Sequence, residues 1–97
     1  MFLILTSKPG QFRTEPGAEL RLVETWEYVA HGRTRAQFVI AELDGEAKIR
    51  IVDEGTHPVV NHVPSKFFPR FETLEEARHE LHQLCGSRSG HVSLTKL

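Results

Sequence analysis

Residues 36–53, AQFVIAELDGEAKIRIVD, carry the strongest local signal for the fold of this chain. Two stretches of strand-forming residues, Ala36–Leu43 and Glu46–Asp53, flank the pair Asp44-Gly45. An Asp-Gly pair at such a place favours a two-residue hairpin turn, because both central residues of a type I′ turn need a positive φ. The stretch therefore predicts two antiparallel strands joined at Asp44-Gly45.

This turn also fixes which side chains share a face of the sheet. Ile40 then lies opposite Ile49 and Phe38 opposite Ile51. Lys48 and Arg50 fall on the other face. We therefore expect one apolar face that packs in the core and one face that is partly exposed to water, as antiparallel sheets allow.

Two further strands precede the hairpin. Phe2–Thr6 is apolar on both faces, which is typical of a strand inside a sheet. Leu20–Ala30 is rich in strand-forming residues and is followed by a turn at His31-Gly32-Arg33. Between the two strands, residues 7–17 hold two Pro-Gly pairs and predict a loop of roughly 12 residues.

A helix is predicted from Thr73. The run Thr73-Leu74-Glu75-Glu76 matches a capping box, in which the threonine hydroxyl and a glutamate satisfy free N–H groups. Gly86 is placed to end the helix. One narrow apolar stripe follows from the helical spacing of Leu74, Ala77, Leu81 and Leu84.

Together these elements predict an α+β fold: an antiparallel sheet of about four strands, in the order β-β-β-β-α, with a single C-terminal helix packed on one face. Residues 1–86 would form one domain. Residues 87–97 would be a tail or a short extra strand, with His91–Leu94 as the strand. Glu54–Phe71 contains Pro58, Pro64 and Pro69, so it cannot be a regular central strand.

Composition restricts the class of protein. The chain has 97 residues and a formal net charge of −1, which favours neither nucleic acid nor an anionic membrane as the partner of the whole surface. One cysteine, Cys85, excludes an internal disulfide. The apolar N-terminus is shorter than the roughly 7–15 residues of a signal-peptide core. We therefore expect a cytoplasmic protein without a membrane span.

The segment before the helix is the candidate partner-binding site. Residues 64–71, PSKFFPRF, place three phenylalanines among prolines and two cations. Prolines restrict the backbone before binding, and aromatic residues and arginine are common anchors of interfaces. Phe67 and Phe68 are neighbours, so an extended chain points them in opposite directions. One fits the core and the other needs a second partner, which assigns the contact to Phe67 or Phe68 with Lys66 and Arg70. The alternative is that Phe67 or Phe68, with Phe71, only covers the core beneath the helix.

Six histidines suggest a second hypothesis. His79 and His82 lie three residues apart on the predicted helix, and Glu75 lies on the same outer face. These three could hold a divalent metal of the zinc type, joined by His57 or His62 if their loop folds back. The alternative is a solvated helix face, because the well-known helical motif spaces its histidines four apart.

Other constellations carry weaker signals. A basic sheet face beside Trp26 or Tyr28 would suit a single-stranded nucleic acid; its cations would be Arg21, Arg35, Lys48 and Arg50. Asp53 and His57 could form an acid–base pair, and otherwise Asp53 caps a loop. Cys85 is interpreted as a structural thiol.

No catalytic or phosphate-binding motif is present in the sequence. We therefore expect a small non-catalytic accessory or protein-binding domain, of which a homodimer is one form. The alternatives are a metal-binding domain and a single-strand binder. No cofactor is expected beyond the divalent metal of the second hypothesis.

Overall fold

The computed structural model describes residues 1–85 and 92–97 and has an α+β architecture. The predictions on Gly86 and His91 lie outside the described residues. The strands are β1 Phe2–Ser7, β2 Phe12–Glu15, β3 Arg21–Ala30, β4 Arg33–Glu42, β5 Lys48–Asp53, β6 Val60–Pro64, β7 Arg70–Phe71 and β8 Val92–Lys96. The helix α1 spans Leu74–Cys85, and a short 3₁₀ helix spans Ser65–Phe67.

The strands form two sheets rather than the single sheet of about four strands that was predicted. Among the described residues, sheet A has five strands in the order β7-β1-β4-β3-β8, and sheet B has three in the order β2-β5-β6. All the pairings are antiparallel. Val92–Lys96 pairs with β3, so this part of segment 87–97 belongs to sheet A.

The predicted hairpin at Asp44-Gly45 is wrong. Gly45 has a positive φ of 87°, but Asp44 does not. β4 pairs with β1 on one edge and β3 on the other, so neither edge is free for β5. The two-residue hairpin instead lies at His31-Gly32, where both φ angles are positive, at 52° and 76°. Asp44-Gly45 carries the chain from sheet A to sheet B.

Because β5 pairs with β2 and β6 instead of β4, the four residues that were expected on one face do not form one cluster. Phe38 and Ile40 pack in a cluster with Ala77 and Leu81 of α1. Ile49 belongs to a second cluster, on the other face of sheet A. That second cluster joins the two sheets through Leu3, Leu5, Leu20, Ala41, Leu43 and Ile49. The molecule thus has three layers, α1, sheet A and sheet B, with a core on each face of sheet A.

β1 shows how one strand supplies both cores. Leu3 and Leu5 are buried towards sheet B, while Phe2 and Ile4 pack in the helix cluster. Because successive side chains of a strand point to opposite faces, a strand that is covered on both sides is apolar throughout. The prediction that Phe2–Thr6 lies inside a sheet is confirmed, since β1 is flanked by β4 and β7.

α1 begins after Thr73, as the capping box predicts. The Glu76 N–H donates to Thr73 Oγ1 over 3.1 Å. Ala77 and Leu81 are fully buried, and Leu74 is partly buried against the same cluster. Leu84, which was expected in the stripe, is 60% exposed and is therefore not part of the core. None of the helices among the described residues has the length and apolar character to cross a membrane.

The prediction of a loop from residue 7 to 17 is wrong in part. The chain turns at Lys8, whose carbonyl accepts hydrogen bonds from the N–H groups of Gln11 and Phe12. Gly10 supplies a positive φ of 78° in this turn. The chain then forms β2, which pairs with β5 and builds one side of a cleft.

Candidate interaction surface

The segment between β6 and β7 forms a turn that is tied to the start of β5. Ser65 is fully buried, and its N–H donates to the carbonyl of Ala47 over 2.7 Å. In return, the Ala47 N–H donates to Ser65 Oγ over 3.0 Å. The Phe68 N–H closes the turn on the Ser65 carbonyl, also over 3.0 Å. We call residues 65–68 the Phe67 turn.

The turn exposes one of its two phenylalanines and partly buries the other. Phe67 is 70% exposed, while Phe68 is half-buried against the cluster between the two sheets. Lys66 extends over the Phe67 ring, with its Nζ 5.6 Å from the ring centroid. Arg70 Nη2 donates to Ser65 Oγ over 3.2 Å, so Arg70 helps to hold the turn. Of the four residues proposed for partner contact, Lys66 and Phe67 are exposed, and Phe68 and Arg70 are partly buried.

An apolar cleft of about 340 Å³ adjoins the Phe67 turn. It lies where α1, β1 and sheet B meet. The described residues that line it are Ile4, Thr6, Phe12, Thr14, Ile51, Phe68, Pro69, Phe71, Glu80 and Leu84. Glu80 is the one charged residue among them. Sequence reasoning missed this cleft because it interpreted residues 7–17 as a loop and paired β5 with β4.

A buried carboxylate on the helix side of sheet A was also missed. The Glu24 side chain is only 3% exposed. It accepts hydrogen bonds from Arg78 Nε and Trp26 Nε1, each over 3.0 Å, and Lys96 Nζ lies 3.3 Å away. These four residues form the Glu24 cluster. One signal for it was available: Glu24 interrupts the strand-forming residues of β3 two places before Trp26, on the same face.

The hydrogen bond from Arg78 is the main cause that lowers the pKa of Glu24, from 4.5 to about 2. Burial opposes this effect, and hydrogen bonds from Trp26 and Lys96 add to it. A carboxylate with such a pKa keeps its charge at neutral pH and holds no proton to exchange. The cluster therefore joins α1, β3 and β8 and is unsuited to acid–base chemistry.

The residues proposed as metal ligands lie in two different layers of the molecule, the α1 layer and the sheet B layer. His79, His82 and Glu75 are on the exposed side of α1, and the His82 ring packs edge-on against Trp26 at 5.5 Å between ring centroids. His62 lies in β6 of sheet B, and His57 lies in the loop before it. Within residues 1–85 and 92–97, no group of three or more His, Cys, Asp or Glu side chains is arranged to hold a metal ion.

The cations expected on one basic face are divided between two sheets. Arg50 and Lys48 are exposed on sheet B, whereas Arg21 and Arg35 lie on sheet A. Several arginines are paired with carboxylates. Arg13 contacts Glu15 over 2.7 Å and Glu54 over 3.1 Å, Arg50 contacts Glu15 over 3.3 Å, and Arg21 contacts Glu42. Trp26 faces α1 and donates to Glu24, so it does not join Lys48 and Arg50 on one face.

Cys85 and Asp53, the two remaining candidates, lie in surroundings that favour a structural role. Burial raises the pKa of the Cys85 thiol, which disfavours the reactive thiolate. Asp53 Oδ1 accepts a hydrogen bond from the Gly55 N–H over 2.7 Å. This is the loop-capping alternative to the proposed pair of Asp53 with His57.

No family model, no curated protein and no solved structure matches this chain. Its function is therefore argued from the geometry of the Phe67 turn and the cleft beside it.

Proposed function

We propose that this chain is a non-catalytic protein-binding module whose contact surface is centred on Phe67. The observation that carries the proposal is the 70% exposure of this phenylalanine on a turn that is anchored on both sides. Single exposed apolar residues are common, and an exposed one alone indicates nothing. Phe67 differs because its backbone is held in place and its ring is presented outwards.

The anchoring of the turn favours binding. Association costs about 0.5–1.5 kcal/mol for each mobile side chain that becomes ordered, and more where a loop must be ordered as well. Hydrogen bonds between Ser65 and Ala47 already order the turn in the free chain. Less conformational entropy is therefore lost when a partner binds. A rigid aromatic ring that enters a pocket is the usual form of an interface hot spot.

Charge around Phe67 indicates the kind of protein surface that would fit. Lys66 lies against the ring. A depression beside Lys66 is lined by residues of both signs, Lys48 and Glu46, so the charge next to the ring is that of Lys66. A partner with an apolar pocket and a carboxylate at its rim would match this surface in both shape and charge. Arg70 acts within the turn, since it donates to Ser65.

Photochemical crosslinking tests the proposal. Phe67 is replaced by the photoreactive p-benzoylphenylalanine, and in a matched control Leu22, which is 54% exposed on sheet A, is replaced in the same way. Irradiation in the cells that express the chain should give a defined protein adduct from position 67 and none from position 22. Excess wild-type protein should suppress the adduct, and the Phe67→Ser variant should suppress it less. Equal labelling from both positions, or equal competition by both proteins, would contradict the proposal.

A further inference from the structure

We propose that the partner of the Phe67 turn is a second copy of this chain, with Phe67 of each copy seated in the apolar cleft of the other. This inference rests on the proposed function and names its partner. The cleft, the charges beside it and its position next to Phe67 each support it.

The cleft suits an aromatic ring better than a polar ligand. Phe12, Phe68 and Phe71 supply aromatic walls, and Ile51 is also part of the lining. Its volume of about 340 Å³ lies at the small end of the range of binding pockets. The Thr14 hydroxyl donates to the Thr6 carbonyl, so this donor is already satisfied within the chain.

Charges of opposite sign accompany the ring and the cleft. Lys66 lies beside Phe67, and Glu80 is the charged residue of the described cleft lining. Neither Lys66 nor Glu80 has an ion-pair partner within residues 1–85 and 92–97. Seating Phe67 in the partner's cleft would bring Lys66 towards Glu80 of the other copy.

The positions of the ring and the cleft favour a closed dimer. A two-fold interface uses one surface patch on both copies, so the inserted residue and its pocket must adjoin. Here Phe67 is next to the pocket along the chain, because Phe68 and Pro69, the two residues that follow it, line the cleft. The exchange is then reciprocal, and it also covers Leu84, which is 60% exposed beside the cleft.

Analytical ultracentrifugation of the purified chain, from low micromolar to near-millimolar concentration, tests the inference. The wild type should reach a mass twice that of the 11.1 kDa chain at the upper concentrations. Phe67→Ser should weaken dimerisation by at least about tenfold, because each dimer loses two inserted rings. Leu22→Ser, the control on sheet A, should leave it unchanged. Circular dichroism checks that each variant is folded.

Charge exchange tests the contact between Lys66 and Glu80. Lys66→Glu and Glu80→Lys should each weaken the dimer by roughly threefold to tenfold, since each dimer holds two such contacts. The double variant should recover most of the loss, because the opposite charges meet again in reversed order. Recovery separates a direct contact from damage to the fold, which a second substitution would not repair.

Other results would overturn the inference. A wild type that stays monomeric at every concentration, a Phe67→Ser variant that dimerises as well as the wild type, or a double variant weaker than both single ones would each exclude the reciprocal exchange. The proposed function is judged separately, by the crosslink from position 67. An adduct with a different protein would sustain protein binding while it excludes the second copy.

Discussion

The Glu24 cluster and the Phe67 turn each join parts of the molecule that are distant in sequence, yet they differ in what they expose to water. In the Glu24 cluster, the carboxylate of β3 is surrounded by Arg78, Trp26 and Lys96 and is 3% exposed. In the Phe67 turn, Ser65 is equally buried, but the residues that follow it place a ring and an ammonium group in water. The Glu24 cluster thus encloses its carboxylate, whereas the Phe67 turn exposes the Phe67 ring and the Lys66 ammonium group.

This difference is the reason for assigning a structural role to the Glu24 cluster and for proposing a binding role for the Phe67 turn. The Glu24 carboxylate is 3% exposed and is held by three neighbouring side chains, so it has no open face with which to meet a ligand. An anchored turn with an exposed ring has rigid backbone and unused contact area, which together favour association. The following four predictions test this distinction, from the largest expected effect to the smallest.

The largest effect is expected at low pH, from the Glu24 cluster. The pKa of Glu24 is about 2 in the folded chain, against an ordinary 4.5. Because folding lowers this pKa, the carboxylate contributes fully above about pH 4.5, and its contribution is lost as the pH falls towards 2. We expect the free energy of unfolding to fall by on the order of 3 kcal/mol over this window. Urea unfolding at a series of pH values measures it.

The matched variants for this prediction are Glu24→Gln and Glu42→Gln. Glu24→Gln should be less stable at neutral pH and should lose most of the acid dependence. Glu42→Gln removes a more exposed carboxylate and should retain the acid dependence of the wild type. Equal acid dependence in wild type and Glu24→Gln would show that other groups cause the drop.

The next effect is expected at Phe68. It packs against the cluster between the sheets, so Phe68→Ser should lower the free energy of unfolding by about 2–3 kcal/mol, less than for a fully buried phenylalanine. Thermal and urea unfolding measure this loss. If Phe68→Ser were as stable as the wild type, the assignment of Phe68 to the interior would be wrong.

A smaller effect is expected at Ser65. Ser65→Ala removes the acceptor of the Ala47 N–H and of Arg70, and it leaves the Ala47 N–H without this partner. We expect a loss of about 1–2 kcal/mol of unfolding free energy. Ser93→Ala, an exposed position of β8, is the control and should be close to neutral. An effect at Ser65 no larger than at Ser93 would mean that the turn does not depend on these bonds.

The smallest effect on stability is expected at Phe67. Because its side chain is 70% exposed, Phe67→Ser should change the free energy of unfolding by no more than about 0.5 kcal/mol. The same substitution should give the largest loss of association in the ultracentrifuge. A large loss of stability without a change in association would show that Phe67 belongs to the interior and not to the contact surface.

Several elements were predictable because their signals are local. Leu20–Ala30 was predicted as a strand and is Arg21–Ala30. The helix was predicted from Thr73 and spans Leu74–Cys85. One ring of the pair Phe67 and Phe68 was expected to contribute to the core, and Phe68 packs against the cluster between the sheets.

The errors concern pairing between distant strands. An Asp-Gly pair is a strong hairpin signal, but a hairpin at Asp44-Gly45 needs a free edge on β4. β1 and β3 occupy both edges, and no pattern within residues 36–53 reveals that. Because β5 pairs with β2 and not with β4, these two strands line a cleft that the sequence did not predict.

By itself, the sequence determined where the helix starts, where four of the strands lie and that one of two adjacent rings can share the core, because each depends on neighbours a few residues away. Only the tertiary structure decided that β4 and β5 separate, that Glu24 meets Arg78 and that the cleft opens beside Phe67. The physical reason is that strand edges and buried charges find their partners among residues far apart in the chain.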